Sequence, residues 1–465
     1  MSMPIEDAAD TIARHLARVS YEDLPDSVVQ ATKASILDTL ACMFAGSASA
    51  DVAAIGGLVA DTGGRPSSTV ILGGGLKVPA AQAVLVNGAM IHQFDFDDTH
   101  DLAICHPTSA CLPAALAVGE EVGGVSGQDL ILAVAAGTDL VSRVALAIRG
   151  GLLDYPWFRA PIVGLFGTTA VAAKIRGASE AQHRDALGLT LPLISCTSAS
   201  LHHGNSSVRS IRDGLVYRSG VLAAELAMRG LRGDQAVFEG KYGYYQSFFR
   251  GEYDRTKLLD GLGERFESDR ISLKPWPSRR TLHRTITAVI DLMTSADLKF
   301  DDIETVEVLV GPITRPWCQP VTVGMVPKRR IDLLNNMLFA VGAAIRYRDV
   351  PLSLYNDPQR ADDVVTRAVP RVRWREVEKA SDNVVAETAQ VKIVTVNGAL
   401  HEASCDIPLG HPDRPISAAQ LRSKFMECAR NASRALDRDR LDEIFAMVMT
   451  LEKLPDVCAL TALLE

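Results

Sequence analysis

The sequence predicts a mainly α protein in two parts: a discontinuous all-helical domain over residues 1–268, completed by 406–465, and a smaller α+β domain over 269–405. Three observations lead to this prediction. Apolar and small residues recur at helical spacing through about residue 265. A basic, proline-stiffened segment, typical of a hinge, interrupts that pattern at residues 271–280. Strand-like alternation and a hairpin signal follow it, before helical spacing returns at the C-terminus.

Apolar stripes define the helices of the first part. Gly46 is expected to end the second of these helices, and Ser126 to cap a long one. If helical spacing continues into the polar segment that follows, His92, Asp95 and Thr99 share one helical face. The predicted helices cover residues 4–20, 27–45, 79 into the polar segment, 110–122, 128–149, 167–174, 180–190 and 220–229.

The second part combines strands with helices. Residues 304–310 alternate as a strand. Residues 391–396 and 399–406 flank Asn397-Gly398, a dipeptide typical of a type I′ hairpin turn. The remaining predicted helices cover residues 281–294, 332–347, 417–436 and 439–451, and we expect the last two to pack on the first domain.

Composition excludes several classes of function. The chain has 465 residues, of which 47% are hydrophobic and 22% charged, as in ordinary globular proteins of two domains. A net charge of −8 argues against nucleic acid as a partner. Any anionic ligand must therefore be held by local positive side chains. The glycine-rich stretch at 63–75 lacks a Gly-Lys-Ser/Thr or GxGxxG motif, so nucleotide binding there is rejected.

Cysteine usage and apolar segments indicate a cytoplasmic enzyme without a membrane partner. The eight cysteines are scattered without CxxC pairs, which suits a reducing compartment. The N-terminal residues are acidic and lack an apolar signal core. The longest apolar region, residues 130–148, contains Asp139 and Arg143, so it is predicted to be a buried helix and not a membrane span.

The most informative stretch runs from Val86 to Ala110, where polar residues crowd into an apolar part of the chain. Carboxylates and imidazoles are costly to bury unless they are paired or used, so the set predicts a proton-transfer or metal site. For single residues an alternative is simpler: Asp98 and Thr99 cap a helix, and the histidines are ordinary hydrogen-bonded residues. The crowded side chains are His92, Asp95, Asp97, Asp98, His100, Asp101 and His106.

Two motifs in this chain resemble the MmgE/PrpD family, which includes 2-methylcitrate dehydratase, cis-aconitate decarboxylase and iminodisuccinate epimerase. The first reads Asn87-Gly88…His92…Asp95-Phe-Asp-Asp-Thr99…His106-Pro107, and the second Lys274-Pro-Trp-Pro-Ser. The resemblance extends along nearly the whole chain. It implies a helical domain, a lid-like α+β domain, a homodimer, and chemistry on small di- or tricarboxylates that needs neither metal nor cofactor.

The resemblance also assigns four catalytic residues: Asp95, Thr99, His106 and Lys274. His106 is expected to act as base or acid because its ordinary pKa lies near neutrality. Lys274 is expected to pair with a substrate carboxylate, or to act as a base if burial lowers its pKa. Asp95 would orient a histidine or accept a hydroxyl hydrogen bond, and Thr99 would donate to an oxygen.

This chain departs from the family pattern at three positions. Arg209 stands where many members have a lysine, and arginine holds carboxylates but cannot act as a base. A His-Pro-Thr motif common in the family is absent ahead of Gly164-Leu-Phe-Gly167, where this chain has Phe158-Arg159-Ala160-Pro161, and Phe339 stands in place of a tyrosine of the lid. The expected substrate-binding side chains are Arg209, Arg159, His202, His203, His100 and Ser278, with His202-His203 as a substitute acid.

The leading hypothesis is a cofactor-independent, dehydratase-type lyase that abstracts a proton next to a carboxylate. The alternatives are an epimerase, isomerase or decarboxylase of the same family, a paralogue that only binds carboxylates, and a metal hydrolase using the Asp/His cluster. We expect His106 and Lys274 to meet across one anion-holding cleft between the helical body and the smaller cap.

Overall fold

The computed structural model describes residues 6–151, 154–201, 206–326, 329–377 and 387–465. These residues form two compact units, each continuous in space but not in sequence. Unit 1 comprises the described residues of Met1–Gln93, Asp97–Ile271 and Leu421–Glu465, and unit 2 those of Phe94–Phe96 and Ser272–Gln420. The predicted mainly α fold with a smaller α+β part is confirmed.

Unit 1 is built from helices around an alanine-rich apolar core, with one short hairpin of β1 (Ser68–Thr69) and β2 (Lys77–Val78). Its helices are α1 (Ala8–Arg18), α2 (Asp26–Ser47), α3 (Ala50–Thr62), α4 (Ala80–Ile91), α5 (Pro107–Val122), α6 (Gly127–Leu146), α7 (Arg159–Ile175), α8 (Glu180–Thr190), α9 (Val208–Met228), α10 (Tyr244–Phe249), α11 (Arg255–Leu259), the part of α16 (Ala418–Arg430) from Leu421 onwards, α17 (Arg438–Met449) and α18 (Cys458–Ala462).

Glycines set the distance between α4 and α9. A Cβ on Gly214 would lie 2.0 Å from the carbonyl oxygen of Leu85, and one on Gly88 would lie 3.1 Å from the Cα of Gly214. The two backbones therefore approach more closely than any other residue pair would allow. As a result, the last turn of α4 and the first turn of α9 carry their side chains into the same region of unit 1.

Two local predictions for unit 1 are wrong. Gly46 does not end α2, which continues to Ser47; a Cβ there would lie 1.7 Å from the carbonyl oxygen of Met90, so packing requires this glycine. The α4 helix ends at Ile91 and is followed by a single 3₁₀ turn over His92–Phe94. Helical spacing therefore does not continue, and His92, Asp95 and Thr99 do not share a helical face. The predicted Ser126 cap of α6 is confirmed, with Asp129 completing a capping box.

Unit 2 contains a four-stranded sheet in the order β4-β3-β5-β6. The strand β3 runs parallel to β4 and antiparallel to β5, and β5 runs antiparallel to β6. Its strands are β3 (Ile303–Val310), β4 (Val372–Glu376), β5 (Ala389–Thr395) and β6 (Leu400–Cys405), and its helices are α12 (His283–Ser295), α13 (Arg330–Leu334), α14 (Met337–Tyr347), α15 (Pro358–Asp363) and the first three residues of α16.

The hairpin between β5 and β6 is confirmed, but not its turn type. Gly398 has a φ of 82°, whereas Asn397 is not among the residues with positive φ, so a type I′ turn is excluded. The Gly398 amide donates to the carbonyl of Thr395 at 2.8 Å, as in a three-residue loop with glycine in the left-handed position. The single helix predicted over 332–347 is instead two helices, because Asn336 caps the second with its side chain.

One helix of the described residues, α2, is long and apolar enough to cross a membrane. Its most apolar window is 83% buried inside the protein. The side chains of α2 thus pack within unit 1, as those of a core helix do.

Candidate active site

The polar segment of unit 1 folds back on itself so that its histidines and aspartates meet. His92 follows α4, Asp97 and Asp98 lie in the loop behind it, and His106 and Ser109 lie at the start of α5. We call these five residues the histidine–aspartate cluster. Four of them are at most 5% exposed, and the His106 side chain is 16% exposed. This exposure makes His106 the member that solutes can reach.

Asp98 caps helix α5 through its carboxylate. The backbone amides of Thr108 and Ser109 donate to its two oxygens at 2.8 and 3.2 Å. The Ser109 hydroxyl lies 2.8 Å from Asp98 Oδ1 and 3.0 Å from Asp97 Oδ2, so it bridges the two carboxyl groups. Burial, and then the neighbouring charge of Asp97, raise the pKa of Asp98. The capping alternative thus holds for Asp98, but capping accounts for neither histidine.

Hydrogen bonds fix the tautomer of His92. Its Nε2 lies 3.3 Å from Nη2 of Arg209, which stands in the first turn of α9. A guanidinium only donates, so this ring nitrogen accepts and carries no proton. The opposite nitrogen, Nδ1, lies 2.9 Å from Asp97 Oδ1 and donates its proton there. His92 is therefore held as a neutral ring between a fixed cation and a fixed anion.

His106 is fixed in the same way but presents a different atom. Its Nδ1 lies 2.6 Å from the carbonyl oxygen of Asp98, which only accepts, so Nδ1 carries the proton. Asp97 Oδ2 lies 3.3 Å and the hydroxyl of Thr99 3.5 Å from the same nitrogen. Every hydrogen bond of His106 within the described residues uses Nδ1. Nε2 is consequently the nitrogen available to accept a proton from a bound molecule.

His92, Asp97 and His106 also bring their ligand atoms within 4.8 Å of one another, as a metal site would require. Two features oppose a cation there. The Nδ1 atoms of both rings donate protons to oxygen, and the guanidinium of Arg209 adjoins the other nitrogen of His92. A metal ligand must offer a lone pair, and a fixed positive charge repels a cation. The arrangement suits proton transfer better than metal binding.

In unit 2, Lys274 pairs with Asp95. The Lys274 ammonium donates to the Asp95 carbonyl oxygen at 2.9 Å and contacts the Asp95 carboxylate, and its side chain is fully buried. Asp95 has a φ of 48°, in the left-handed region where residues other than glycine are uncommon. This backbone conformation presents both its carbonyl and its carboxylate to one ammonium group.

The other predicted substrate-binding residues already bond to protein groups. Arg159 is buried and donates to the carbonyls of Gly150 and Gly151 at 3.0 and 3.4 Å, and burial lowers its pKa. His100 bonds to Glu267 at 3.1 Å, and Ser278 to His283 at 3.1 Å. His202 and His203 lie outside the described residues. Substrate binding by these five residues stays a prediction.

Comparison with known proteins agrees with the motifs. A sequence model of the MmgE/PrpD N-terminal domain matches residues 10–256, and one of the C-terminal domain matches residues 276–450. The chain belongs to the MmgE/PrpD family. Similar MmgE/PrpD-type proteins include the cis-aconitate decarboxylases of Mus musculus, 24% identical over 477 residues, and Homo sapiens, 26% identical over 482 residues. Each alignment covers 100% of this chain, and 94% and 95% of the respective relatives.

A fungal relative shows a similar identity and coverage. The cis-aconitate decarboxylase of Aspergillus terreus is 26% identical over 485 residues, covering 98% of this chain and 95% of the relative. These matches span both units, so the resemblance to the MmgE/PrpD family is not confined to one motif. Decarboxylation is a lyase reaction, and the relatives are named for it.

Sequence reasoning did not select every charged or polar group near the matched motifs. It noted Arg279 only as part of a basic hinge, and it did not consider Arg330 or Tyr355. The ring of Tyr355 packs against Phe339 with centroids 5.7 Å apart. A phenol therefore lies beside the position where the family tyrosine was expected to be lost. No spacing rule could have found it, because the pairing depends on the fold of unit 2.

Proposed function

We propose that this chain is a lyase that acts on a small di- or tricarboxylate by moving a proton at the carbon next to a carboxylate. The observation that carries the proposal is the fixed tautomer of His106, with Nδ1–H bonded to Asp98 and Nε2 left for the substrate. Membership of the family and the names of the relatives support the substrate class. A positioned imidazole transfers the proton itself, so the proposed chemistry needs no cofactor.

His106 would serve either direction of transfer. As a base, Nε2 takes the proton from carbon, and the resulting imidazolium is stabilised by the Asp97 carboxylate 3.3 Å from Nδ1. As an acid, the imidazolium returns a proton from Nε2 to carbon. Thr99 would donate to a substrate oxygen, and Arg209 would hold a carboxylate while it keeps His92 neutral.

Dehydration and decarboxylation use this group differently. In dehydration His106 removes a C–H proton, the electron pair forms a C=C bond, and the C–O bond breaks as the hydroxyl takes a proton from the imidazolium and leaves as water. In decarboxylation a C–C bond breaks, CO₂ leaves, and the electron pair takes a proton from the imidazolium. The residues alone favour dehydration as the first candidate, and the names of the relatives favour decarboxylation as the second.

Lys274 and Asp95 are the second pair of residues that the family resemblance assigns to catalysis. We propose that the Lys274 ammonium stabilises negative charge on the substrate and that Asp95 holds the ammonium in position. The carbonyl and carboxylate of Asp95 both bind the same ammonium, which fixes its position. Arg159, His100, Ser278, His202 and His203 are the remaining proposed substrate-binding residues.

The test is a product analysis with purified protein. Citrate, 2-methylcitrate, cis-aconitate and hydroxydicarboxylates are incubated in D₂O, and alkene, CO₂ and deuterium in recovered substrate are measured. We expect alkene or CO₂ from at least one acid, and a loss of about 10²–10⁴-fold in kcat for His106→Ala. The control is His401→Gln, at a half-buried histidine on strand β6 of unit 2.

Other outcomes identify the alternatives. Equal rates for wild type and His106→Ala would contradict the role of His106. Deuterium uptake without alkene or CO₂ would identify an epimerase or isomerase. Ligand-induced stabilisation without any turnover would identify a carboxylate-binding paralogue.

We further propose that the protein is a homodimer of the cytoplasm. Helix α9 exposes Val208, Leu215 and Leu222, which are 45%, 41% and 43% exposed and recur every seven residues on one face. Such a stripe is suited to burial against a second copy. All eight cysteines are unpaired, which supports a reducing compartment. Size-exclusion chromatography with light scattering tests the dimer: the wild type should elute as a dimer and Leu215→Glu as a monomer.

A further inference from the structure

Positive charge exceeds negative charge around Asp95 in unit 2. The one carboxylate of Asp95 already contacts the ammonium of Lys274. Two arginines adjoin this segment, Phe94–Phe96: the guanidinium of Arg330 lies over the ring of Phe94, and the charge of Asp95 acts on Arg279. Within the described residues, neither arginine has a carboxylate at ion-pair distance. A partly buried guanidinium without an anion is costly, so this surplus requires an explanation.

Arg279 is held by its flat face. Its guanidinium carbon lies 3.8 Å from the ring centroid of Trp317, and its backbone amide donates to the carbonyl of Leu334 at 3.0 Å. Its Nε is buried and bonds to no atom of the described residues. Burial lowers the pKa of Arg279, while the charge of Asp95 acts in the opposite direction. Because stacking occupies only the face, the in-plane N–H groups stay available for the two oxygens of a carboxylate.

Arg330 approaches the segment from α13. Its guanidinium lies 4.5 Å from the ring centroid of Phe94, and its Nε donates to the carbonyl oxygen of Tyr355 at 3.1 Å. Burial lowers the pKa of Arg330. The bond to Tyr355 and the stack on Phe94 set the direction of the guanidinium and leave its terminal nitrogens unbonded among the described residues.

Tyr355 adds a neutral donor. Its side chain is fully buried, and its hydroxyl bonds to no described atom. Burial, and then the charge of Asp95, raise the pKa of Tyr355, so the phenol keeps its proton and can donate it. A buried hydroxyl without an acceptor is destabilising, unless a ligand accepts its hydrogen bond.

We propose that Arg279 and Arg330, together with the hydroxyl of Tyr355, bind one carboxylate group of a small polycarboxylate. This inference rests on the proposed function for the identity of the anion, and it assigns a recognition site that uses none of the catalytic residues named above. Two guanidinium groups and a phenol supply donors only, so the group they recognise is an acceptor with negative charge. The Asp95 carboxylate already contacts the Lys274 ammonium. Its single negative charge therefore cannot also neutralise both arginines.

The probe for the test is tricarballylate, a tricarboxylate that has neither a hydroxyl group nor a double bond to react. Its affinity is measured by titration calorimetry for wild type, Arg279→Gln, Arg279→Lys, Arg330→Gln and Tyr355→Phe. The matched control is Arg315→Gln, because Arg315 is exposed and pairs with Glu376 at 3.0 Å in the same unit. Melting temperatures identify any variant that fails to fold.

We expect Arg279→Gln and Arg330→Gln each to weaken binding about tenfold or more, and Arg315→Gln to bind as wild type. Arg279→Lys should be intermediate, because it keeps the charge but loses the planar fork. The trimethyl ester of the probe should not bind. Wild-type affinity in folded Arg279→Gln and Arg330→Gln, or no binding of tricarballylate by wild type at millimolar concentration, would overturn the assignment.

The outcome is separable from that of the proposed function. Binding that depends on Arg279 in a protein without turnover would leave this site standing and end the lyase proposal. Turnover with an unchanged KM in both arginine variants would end this assignment and leave the lyase proposal standing.

Discussion

Nη2 of Arg209 lies 3.3 Å from Nε2 of His92, and this contact decides which proton the histidine carries. Arginine stays protonated at every working pH, so Nε2 of His92 must accept. The proton on Nδ1 then goes to Asp97, 2.9 Å away. Arg209 thus has a defined effect on its neighbour.

Arg209→Met should release this constraint. Without the guanidinium, His92 is expected to populate both neutral tautomers and to protonate more readily, because the adjacent positive charge is gone. Tautomer-sensitive ¹⁵N chemical shifts of the histidine side chains provide the measurement. The wild type should show the Nδ1–H form alone for His92, and Arg209→Lys should retain part of the effect. The same ¹⁵N pattern in wild type and Arg209→Met would contradict the assignment.

Ser109→Ala tests the bridge between the two carboxyl groups. Asp97 and Asp98 would lose their shared hydroxyl, 3.0 and 2.8 Å away, and face each other without it. We expect a loss of about 1–3 kcal/mol in the free energy of unfolding, and a lower kcat because Asp97 orients both histidines. Ser142→Ala is the control, since that buried hydroxyl only bonds to its own helix at Thr138. Equal losses of unfolding free energy in the two variants, measured by urea denaturation, would show that the bridge stabilises the protein no more than an ordinary buried hydroxyl does.

Gly214→Ala tests the close approach of α4 and α9. The new methyl group would lie 2.0 Å from the carbonyl oxygen of Leu85, so the helices must separate. We expect a lower melting temperature and a loss of activity larger than instability explains, because α4 leads to His92 and α9 carries Arg209. In Gly57→Ala the methyl group meets nothing within 4 Å, and α3 should gain about 0.5–1 kcal/mol. Comparable melting temperatures for the two variants would refute the packing argument.

Much of the fold followed from local patterns, because helix periodicity and capping are properties of short segments. The Ser126 cap and the β5–β6 hairpin are examples. Predictions failed where a distant residue decides the local structure. Gly46 lies inside a helix because Met90 packs against its backbone, and no signal near Gly46 in the sequence could indicate that.

The candidate site was only partly predictable, because local patterns show where polar residues crowd but not which of them bond to one another. The crowding of Asp and His between residues 92 and 106 identified the segment, but hydrogen bonds made only in the folded chain distinguish His92 from His106. Asn87-Gly88, part of the recognised motif, has a structural use: the Asn87 side chain bonds to Ile71 and Thr69, each at 3.0 Å. The arginines that are unpaired among the described residues of unit 2 depend on which carboxylates the fold places near them, and sequence spacing does not give that information.

Lys274→Met tests the ion pair of unit 2. Removing the ammonium takes away the positive charge that the buried Asp95 carboxylate contacts, and breaking a buried ion pair typically costs about 3–5 kcal/mol. The double variant Asp95→Asn/Lys274→Met removes both charges and should recover part of this loss, since asparagine also tolerates the left-handed backbone at this position. The unfolding free energies of wild type, Asp95→Asn, Lys274→Met and the double variant, measured by urea denaturation, complete the double-mutant cycle. Additive losses would mean that the two side chains do not interact.

Acid should destabilise the protein through buried histidines. His183 on α8 is 1% exposed, and burial, with a smaller contribution from the charge of Lys174, lowers its pKa from 6.5 to about 4. Burial also lowers the pKa of His15 to about 4. Between these values the unfolded chain binds protons that the folded protein does not. The folded state is therefore favoured most above pH 6.5, where both imidazoles are neutral. Its free energy of unfolding decreases as the pH falls towards 4.

For His183 the difference between 6.5 and about 4 corresponds to about 3 kcal/mol. His183→Gln removes this titration, so its free energy of unfolding should fall less steeply between pH 6.5 and 4 than that of wild type. His401→Gln, at a half-buried histidine on β6, should keep the wild-type slope. The measurement is urea denaturation at half-unit pH intervals. Parallel pH profiles for wild type and His183→Gln would show that this imidazole does not drive acid unfolding.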